Sequence, residues 1–224
     1  MARSLVAMLA LAGRTAAYAP AIGRSSSSVL TRRSVLAHVV RGHVSMTDSG
    51  FGGRIVVGAD GFGEELKNAV VKHLRDVRGL EVEDVGTDKY FVAAATVARA
   101  VQAGGSAAGG AEAGVRGMLF CGTGMGVSVI ANKFSGISAA VVENESAARA
   151  SRAINDANIC CMGGLVTAPA EASVIADAWL EQQHGQPPVA AGAAPPEWWS
   201  PEVEEFLAAK WPEIGEIEKE SRAA

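Results

Sequence analysis

The stretch Gly-Met-Leu-Phe-Cys-Gly-Thr-Gly-Met-Gly-Val-Ser-Val-Ile-Ala-Asn-Lys at 117–133 constrains the fold of this chain most tightly. An apolar run (Met118, Leu119, Phe120) ends on Cys121, glycines stand at 122, 124 and 126, and an apolar segment of helical character follows. A buried strand therefore delivers one thiol to the mouth of a glycine turn. Glycine lets backbone N–H groups come close to a ligand, and the helix behind the turn adds the positive end of its dipole. A cysteine in that position is a candidate base or nucleophile.

Strands and helices alternate around this unit. Arg54 to Gly58 is a β-branched run that ends in glycine, and 64–77 carries Leu66, Val70 and Leu74 at helical spacing until Gly79 stops it. Leu80, Val82 and Val85 alternate with acids as a strand with one wetter face would. A helix is expected over 90–103, a Gly/Ala loop over 104–114, a strand over 116–120 and a helix over 126–132. Strands at 136–142 and 158–162 and helices at 145–154 and 169–182 complete the series. The expected fold is α/β: a five-stranded, doubly wound parallel sheet, Rossmann-like, in three αβα layers with right-handed crossovers. Ligands bind beyond the C-terminal ends of such strands, and the candidate polar residues are expected there. They are Asp60 after the first strand, Cys121 after the third, and Asn155 and Asn158 around the start of the fifth. A Pro/Ala/Gly linker over 185–197 leads to one amphipathic helix over 198–221, whose apolar residues must pack on this subunit or on a partner.

The first 47 residues differ from the rest. They contain no Asp or Glu, carry six arginines and include a serine run at 25–28, which is the composition of a targeting leader. Leu5 to Ala12 form a short apolar stretch, the small residues Thr15-Ala16-Ala17 follow, and an acid-free Arg/Ser-rich segment opens at Tyr18. A signal peptide followed by a transit segment resembles the bipartite leaders of algal plastid proteins, with mitochondrial import as the alternative. Thr31-Arg32-Arg33-Ser34-Val35-Leu36 also looks like a twin-arginine signal, but His38 and Arg41 interrupt the apolar stretch after it. No segment has the run of ~20 apolar residues that spans a bilayer. A net charge of −4 argues against nucleic acid as the main partner. Cys121, Cys160 and Cys161 make a poor disulfide framework, and no Cys/His spacing suits zinc, so neither metal nor cofactor is expected.

Three blocks carry a resemblance to a known family. Gly58-Ala59-Asp60 with Glu65-Leu66-Lys67, then Cys121-Gly-Thr-Gly-Met-Gly126-Val-Ser128 with Ala131-Asn132-Lys133, then Asn155-Asp156-Ala157-Asn158, resemble the type B ribose-5-phosphate isomerases and the galactose-6-phosphate isomerase subunits over about 54–182. The resemblance implies a flavodoxin-like fold, homodimers or homotetramers with sites shared between subunits, and no metal. It implies that Cys121 is the base that moves a proton between C1 and C2 of an open-chain sugar phosphate through an enediolate. Thr123 would assist it, and the Gly122 to Gly126 turn would donate N–H groups to the oxyanion. Around the substrate it implies Asp60, Gly61, Gly122, Gly124, Met125, Gly126, Ser128 and Asn132, with Asn155 reaching the neighbouring subunit's site, and Arg152 and Arg149 are the candidates to replace the family's phosphate arginines. The chain departs from the family at four places. Gly61 and Ile154 stand where histidines are usual, Leu165 corresponds to a common arginine, and no C-terminal arginine pair for the phosphate is found around 195–202.

Blander readings stand beside these. Cys160 and Cys161 read as core, Asp60 can cap the following helix, and Asn155 and Asn158 can tie the turn into the last strand. His73 reads as part of a solvated helix face, and Trp198 and Trp199 as anchors of the tail. Three functions fit: a sugar-phosphate aldose–ketose isomerase, an isomerase or epimerase of a different sugar, phosphorylated or not, and a non-catalytic sugar-binding module. A fold alone does not choose among them.

Overall fold

The computed structural model describes residues 51–104 and 114–223. The leader expected over 1–47, and most of the Gly/Ala loop expected over 104–114, lie outside the described residues. The elements run β1 (Arg54–Ala59), α1 (Glu64–Asp76), β2 (Val82–Thr87), α2 (Tyr90–Ala103), β3 (Val115–Cys121), α3 (Met125–Ala131), β4 (Ala139–Val141), α4 (Glu145–Ala153), β5 (Ile159–Gly163), α5 (Pro169–Glu181), α6 (Pro201–Ala209) and α7 (Trp211–Ala223). The five strands form one sheet in the order β2-β1-β3-β5-β4, and every neighbouring pair is parallel. The expected three-layer α/β architecture is therefore present, with a helical extension behind it.

Right-handed crossovers decide which face each helix covers. The chain moves one way along the sheet from β1 to β2 and from β4 to β5, and the other way from β2 to β3 and from β3 to β4. Helices α1, α4 and α5 accordingly share one face, where Leu66, Val70, Leu74, Ile175 and Trp179 pack on Ile55, Val57, Met118, Phe120, Cys160 and Met162. Helices α2 and α3 share the other, where Val97, Val101, Val127 and Ala131 pack on Val56, Leu119, Cys121, Ile159 and Cys161. The strands alternate between the two cores residue by residue, as a strand buried on both faces must. Strand β3, in the middle, is buried at all seven positions.

The Cys160 and Cys161 thiols are fully enclosed, and burial pushes both well above the ordinary thiol range. His73 departs from expectation. Its helix face meets α5, and Nε2 lies 2.8 Å from Asp177 Oδ1 with the side chain mostly covered. Strand β4 is shorter than expected because side chains take over its leading residues. Asn158 accepts from Ser138 N at 2.9 Å and donates to Gly136 O at 2.7 Å.

The tail is two helices rather than one. Pro212 has no N–H with which to continue the ladder, so the chain turns at Lys210 although the apolar period runs on. Helix α6 docks through Leu207, Val203 and Trp199 on Ala153 and Ile154, at the end of α4. Lys210 Nζ donates to the Ile154 carbonyl, and the Trp199 indole donates to Glu204 at 2.7 Å. Helix α7 buries no residue and rests on the α3–β4 loop through polar contacts: Gly136 N donates to Glu218 Oε1, and Arg222 donates to the Lys133 carbonyl.

Because so few apolar contacts hold the tail, Leu207→Ala, which empties a 2 % exposed site, should cost about 2–4 kcal/mol of docking. Hydrogen exchange should then show lost protection across α6 with β1, β3 and β5 unchanged. Loss of protection in the central strands as well would mean that the tail belongs to the cooperative core.

Candidate active site

The connections from β1 and β3 leave in opposite directions along the sheet, so the two neighbouring strands splay their following loops and open a crevice at their C-terminal ends. Cys121 ends β3 there and Asp60 follows β1. The Cys121 side chain is 4 % exposed, and Gly124 N donates to its sulfur at 3.1 Å. Gly124 has φ 77° and starts α3, so the backbone doubles back over the thiol. The Thr123 hydroxyl lies 3.4 Å from Met125 N, and both residues face solvent at the rim. Asp60 accepts from Phe62 N at 2.9 Å and Gly63 N at 3.0 Å, both through Oδ1. Among the described residues these are the only hydrogen bonds of its carboxylate, so Oδ2 remains able to accept from a ligand. Asp60 thus organises the turn that follows β1, the capping role read for it.

Three loops meet here backbone to backbone, and two glycines allow it. A Cβ on Gly63 would lie 2.4–2.6 Å from the main chain of Phe120 and Cys121. One on Gly163, at the end of β5, would lie 2.7 Å from the main chain of Thr123. Neither glycine stands among the sequence candidates; the signal for the second is the Gly163-Gly164 pair closing an apolar run.

The mouth is apolar on both sides. The ring of Tyr90 packs over Gly126, while Phe62 and Leu165, 70 % and 71 % exposed, flank Gly122. Gly61 has open space where a side chain would stand. The motif cation Lys67 is not free for a ligand, because it is 3 % exposed and bound to both oxygens of Asp84 at 2.8 and 2.6 Å. Among the described residues no group of His, Cys, Asp and Glu could hold a metal ion, and no helix is long and apolar enough to cross a membrane.

The structure brings Asp60, Gly61, Cys121, Gly122, Thr123, Gly124, Met125 and Gly126 together and leaves Ser128, Asn132, Arg152, Asn155 and Asn158 elsewhere. Ser128 and Asn132 clamp the start of β4: Ser128 Oγ and Asn132 Nδ2 donate to the Ala139 carbonyl at 3.1 and 2.8 Å, and Asn132 Oδ1 accepts from Ala139 N. Arg152 is 5 % exposed and pairs with Asp156 at 2.5 Å, near the N-terminal edge of the sheet. Asn155 and Asn158 precede β5, so they lie at the opposite end of the strands from Cys121, not beside it. Asn158 is spent on the β4 turn; Asn155 is exposed. Within one chain Asn155 and Cys121 are a strand length apart, about 15 Å at 3.3 Å per residue.

Gly163→Ala should lower stability by about 1–3 kcal/mol, because the new Cβ meets backbone rather than a movable side chain. Thermal denaturation beside a Gly52→Ala control, which has open space around it, checks this. Equal midpoints would mean that the three loops are not in close contact.

The family model described as Ribose/Galactose Isomerase matches residues 55–188. The chain is 39 % identical over 166 residues to the DNA damage-repair/toleration protein DRT102 of Arabidopsis thaliana, a match over 74 % of this chain and 50 % of that protein, so it spans about half of that relative's length. It is 42 % identical over 136 residues to ribose-5-phosphate isomerase B of Escherichia coli, covering 58 % of this chain and 85 % of that one. Among solved structures, ribose-5-phosphate isomerase B of Clostridium thermocellum superposes with a TM-score of 0.59 at 35 % identity, over 75 % of this chain and 99 % of the other. With the Cys121 turn at the switch point of a five-stranded parallel sheet, these matches establish that the chain belongs to the ribose/galactose isomerase family.

Proposed function

We propose that this chain is a sugar-phosphate aldose–ketose isomerase of the ribose-5-phosphate isomerase B type, working through an enediolate with Cys121 as its base. The observation that carries the reading is the position of the sulfur: it ends the buried central strand at the switch point, with Gly124 N–H aimed at it and Asp60 across the crevice. Cys121 as thiolate takes the proton from C2 of the open-chain aldose. The C–H electrons form the C1–C2 double bond, and the carbonyl pair moves onto O1. Return of the proton to C1, with transfer of the C2 hydroxyl proton to O1, completes the ketose. Turn N–H groups stabilise the charge on oxygen, and Asp60 Oδ2 accepts from a sugar hydroxyl.

The apolar mouth favours a second reading. Leu165 and Gly61 offer neither a cation nor an imidazole beside Gly122, and Lys67 is already paired. Phosphate recognition normally rests on charge-assisted contacts, so a different, unphosphorylated sugar is the alternative substrate, and a non-catalytic sugar-binding module the alternative role. The exposed Asn155, a strand length from its own Cys121, supports a homodimer or homotetramer in which it serves a neighbour's site. The acid-free leader over 1–47 supports import into a plastid, with the mitochondrion as the alternative.

Proton exchange in D2O, followed by NMR with a panel of pentose and hexose phosphates and free sugars, tests the chemistry. Deuterium should enter C1 or C2, and Cys121→Ala should slow this about a hundredfold to ten-thousandfold. No exchange with any sugar by a folded, oligomeric protein would reject the isomerase reading, and exchange with free sugars alone would select the second. Shared sites have a separate test: mixing Cys121→Ala with Asn155→Ala subunits should restore activity, since the hybrid holds one intact site. A mixture as inactive as its parents would place each site within one subunit.

A further inference from the structure

At the N-terminal edge of the sheet, about 15 Å along β3 from Cys121, two guanidiniums are buried against one indole. Arg116 is 6 % exposed, Arg152 5 % and Trp179 0 %. Both guanidiniums lie over the Trp179 ring, at 5.5 and 5.7 Å from its centroid, and the Phe51 ring covers Arg116 from 4.2 Å. Arg152 Nη1 is used on Asp156 Oδ1 at 2.5 Å and on the Ala157 carbonyl at 2.8 Å. Arg116 Nη1, Arg152 Nε and Trp179 Nε1 are buried donors with no hydrogen-bond partner among the described residues. Three such donors around one ring are far from the norm, because a buried donor left unpaired costs most of its desolvation.

Among the described residues the charges do not balance either. Asp156 is the carboxylate that acts on Arg116, Arg152 and Lys210 alike. His184, whose Nδ1 lies 3.4 Å from the Arg152 carbonyl and whose Nε2 accepts from the Trp211 indole, brings no negative charge to the cluster. Burial, and then the neighbouring Arg152 charge, push Arg116 down to about 9. A guanidinium does not give up its proton in a protein. The physical response to two buried cations and one carboxylate is therefore a counter-charge.

We infer that Arg116, Arg152 and the indole N–H of Trp179 form a binding site for a small inorganic anion of the size and charge of chloride. The anion accepts from the three unpaired donors and neutralises the second guanidinium. Burial of all three donors favours a monatomic or small planar ion over a larger one. The site braces the turn at Asp156, which takes φ 45° and links the exposed Asn155 to β5. It lies at the other end of the sheet from the Cys121 crevice and is independent of the reaction assigned there.

Crystals of the full chain grown with bromide in place of chloride provide the direct test. An anomalous peak within hydrogen-bond reach of Arg116 Nη1 and Trp179 Nε1 is expected; a water or a carboxylate of the chain itself at that point would overturn the inference. In solution, replacing gluconate, whose anion is too large to enter, by bromide or nitrate at constant ionic strength should raise the melting midpoint by about 5 °C. Arg116→Met, which removes one of the two buried cations, should abolish that response. A midpoint insensitive to the anion, or an equal rise in Arg116→Met, would overturn it as well. The wild-type crystals decide the question even if that variant does not fold.

Discussion

Strand β3 is buried along its whole length, and the rest of the structure takes its position from it. It is hydrogen-bonded to β1 on one side and β5 on the other, from Val115 to Cys121. Its side chains alternate between the core under α1 and α5 and the core under α2 and α3, so neither face can slip without burying a wrong residue. A strand held in this way ends at a point defined by the whole core, and Cys121 is that point. The thiol owes its position less to its own contacts, a single N–H at 3.1 Å, than to the rigidity of what delivers it.

The two ends of the sheet solve opposite problems. At the C-terminal end, loops from three strands approach backbone to backbone, and the small residues Gly63 and Gly163 make the approach possible. Polar groups there stay at the surface, with hydrogen-bonding capacity left for a ligand. At the N-terminal edge, Arg116, Arg152 and Trp179 close the core with groups that are costly to bury, and the tail helix α6 adds its apolar cover on Ile154 just outside them. Asn155 is tied by sequence to the buried Asp156 turn and turned by the fold toward solvent.

Much of this was legible in the residues. The βα alternation, the buried cysteines of β5, the glycine turn after Cys121 and the family resemblance over the core all rest on local chemistry, which periodicity and motif spacing report directly. The misplacements have separate causes. Asn155 and Asn158 are expected beyond the C-terminal strand ends with Cys121, yet both precede β5, which in a parallel sheet puts them at the N-terminal end. Ser128 and Asn132 belong to the Cys121 motif by spacing, yet a helix turn carries them round to β4, where they satisfy the Ala139 backbone. His73 looked solvated because its neighbours on α1 are charged, and only the contact with α5 covers it. The tail kept a helical period through Pro212, where a missing N–H, rather than hydrophobicity, broke the helix.

By itself the sequence determined the layers, the parallel sheet and the thiol at the end of its third strand, because these follow from which residues avoid water and which turns glycine permits. Tertiary structure alone decided the strand order and hence the switch point, and it alone brought Arg116 to Arg152 across α5. It also turned Asn155 away from its own Cys121 and seated α6 on Ile154. Those outcomes depend on which surfaces meet when several elements pack at once. That pairing is set by crossover handedness and by the burial of distant residues together, and no local stretch of chain contains it.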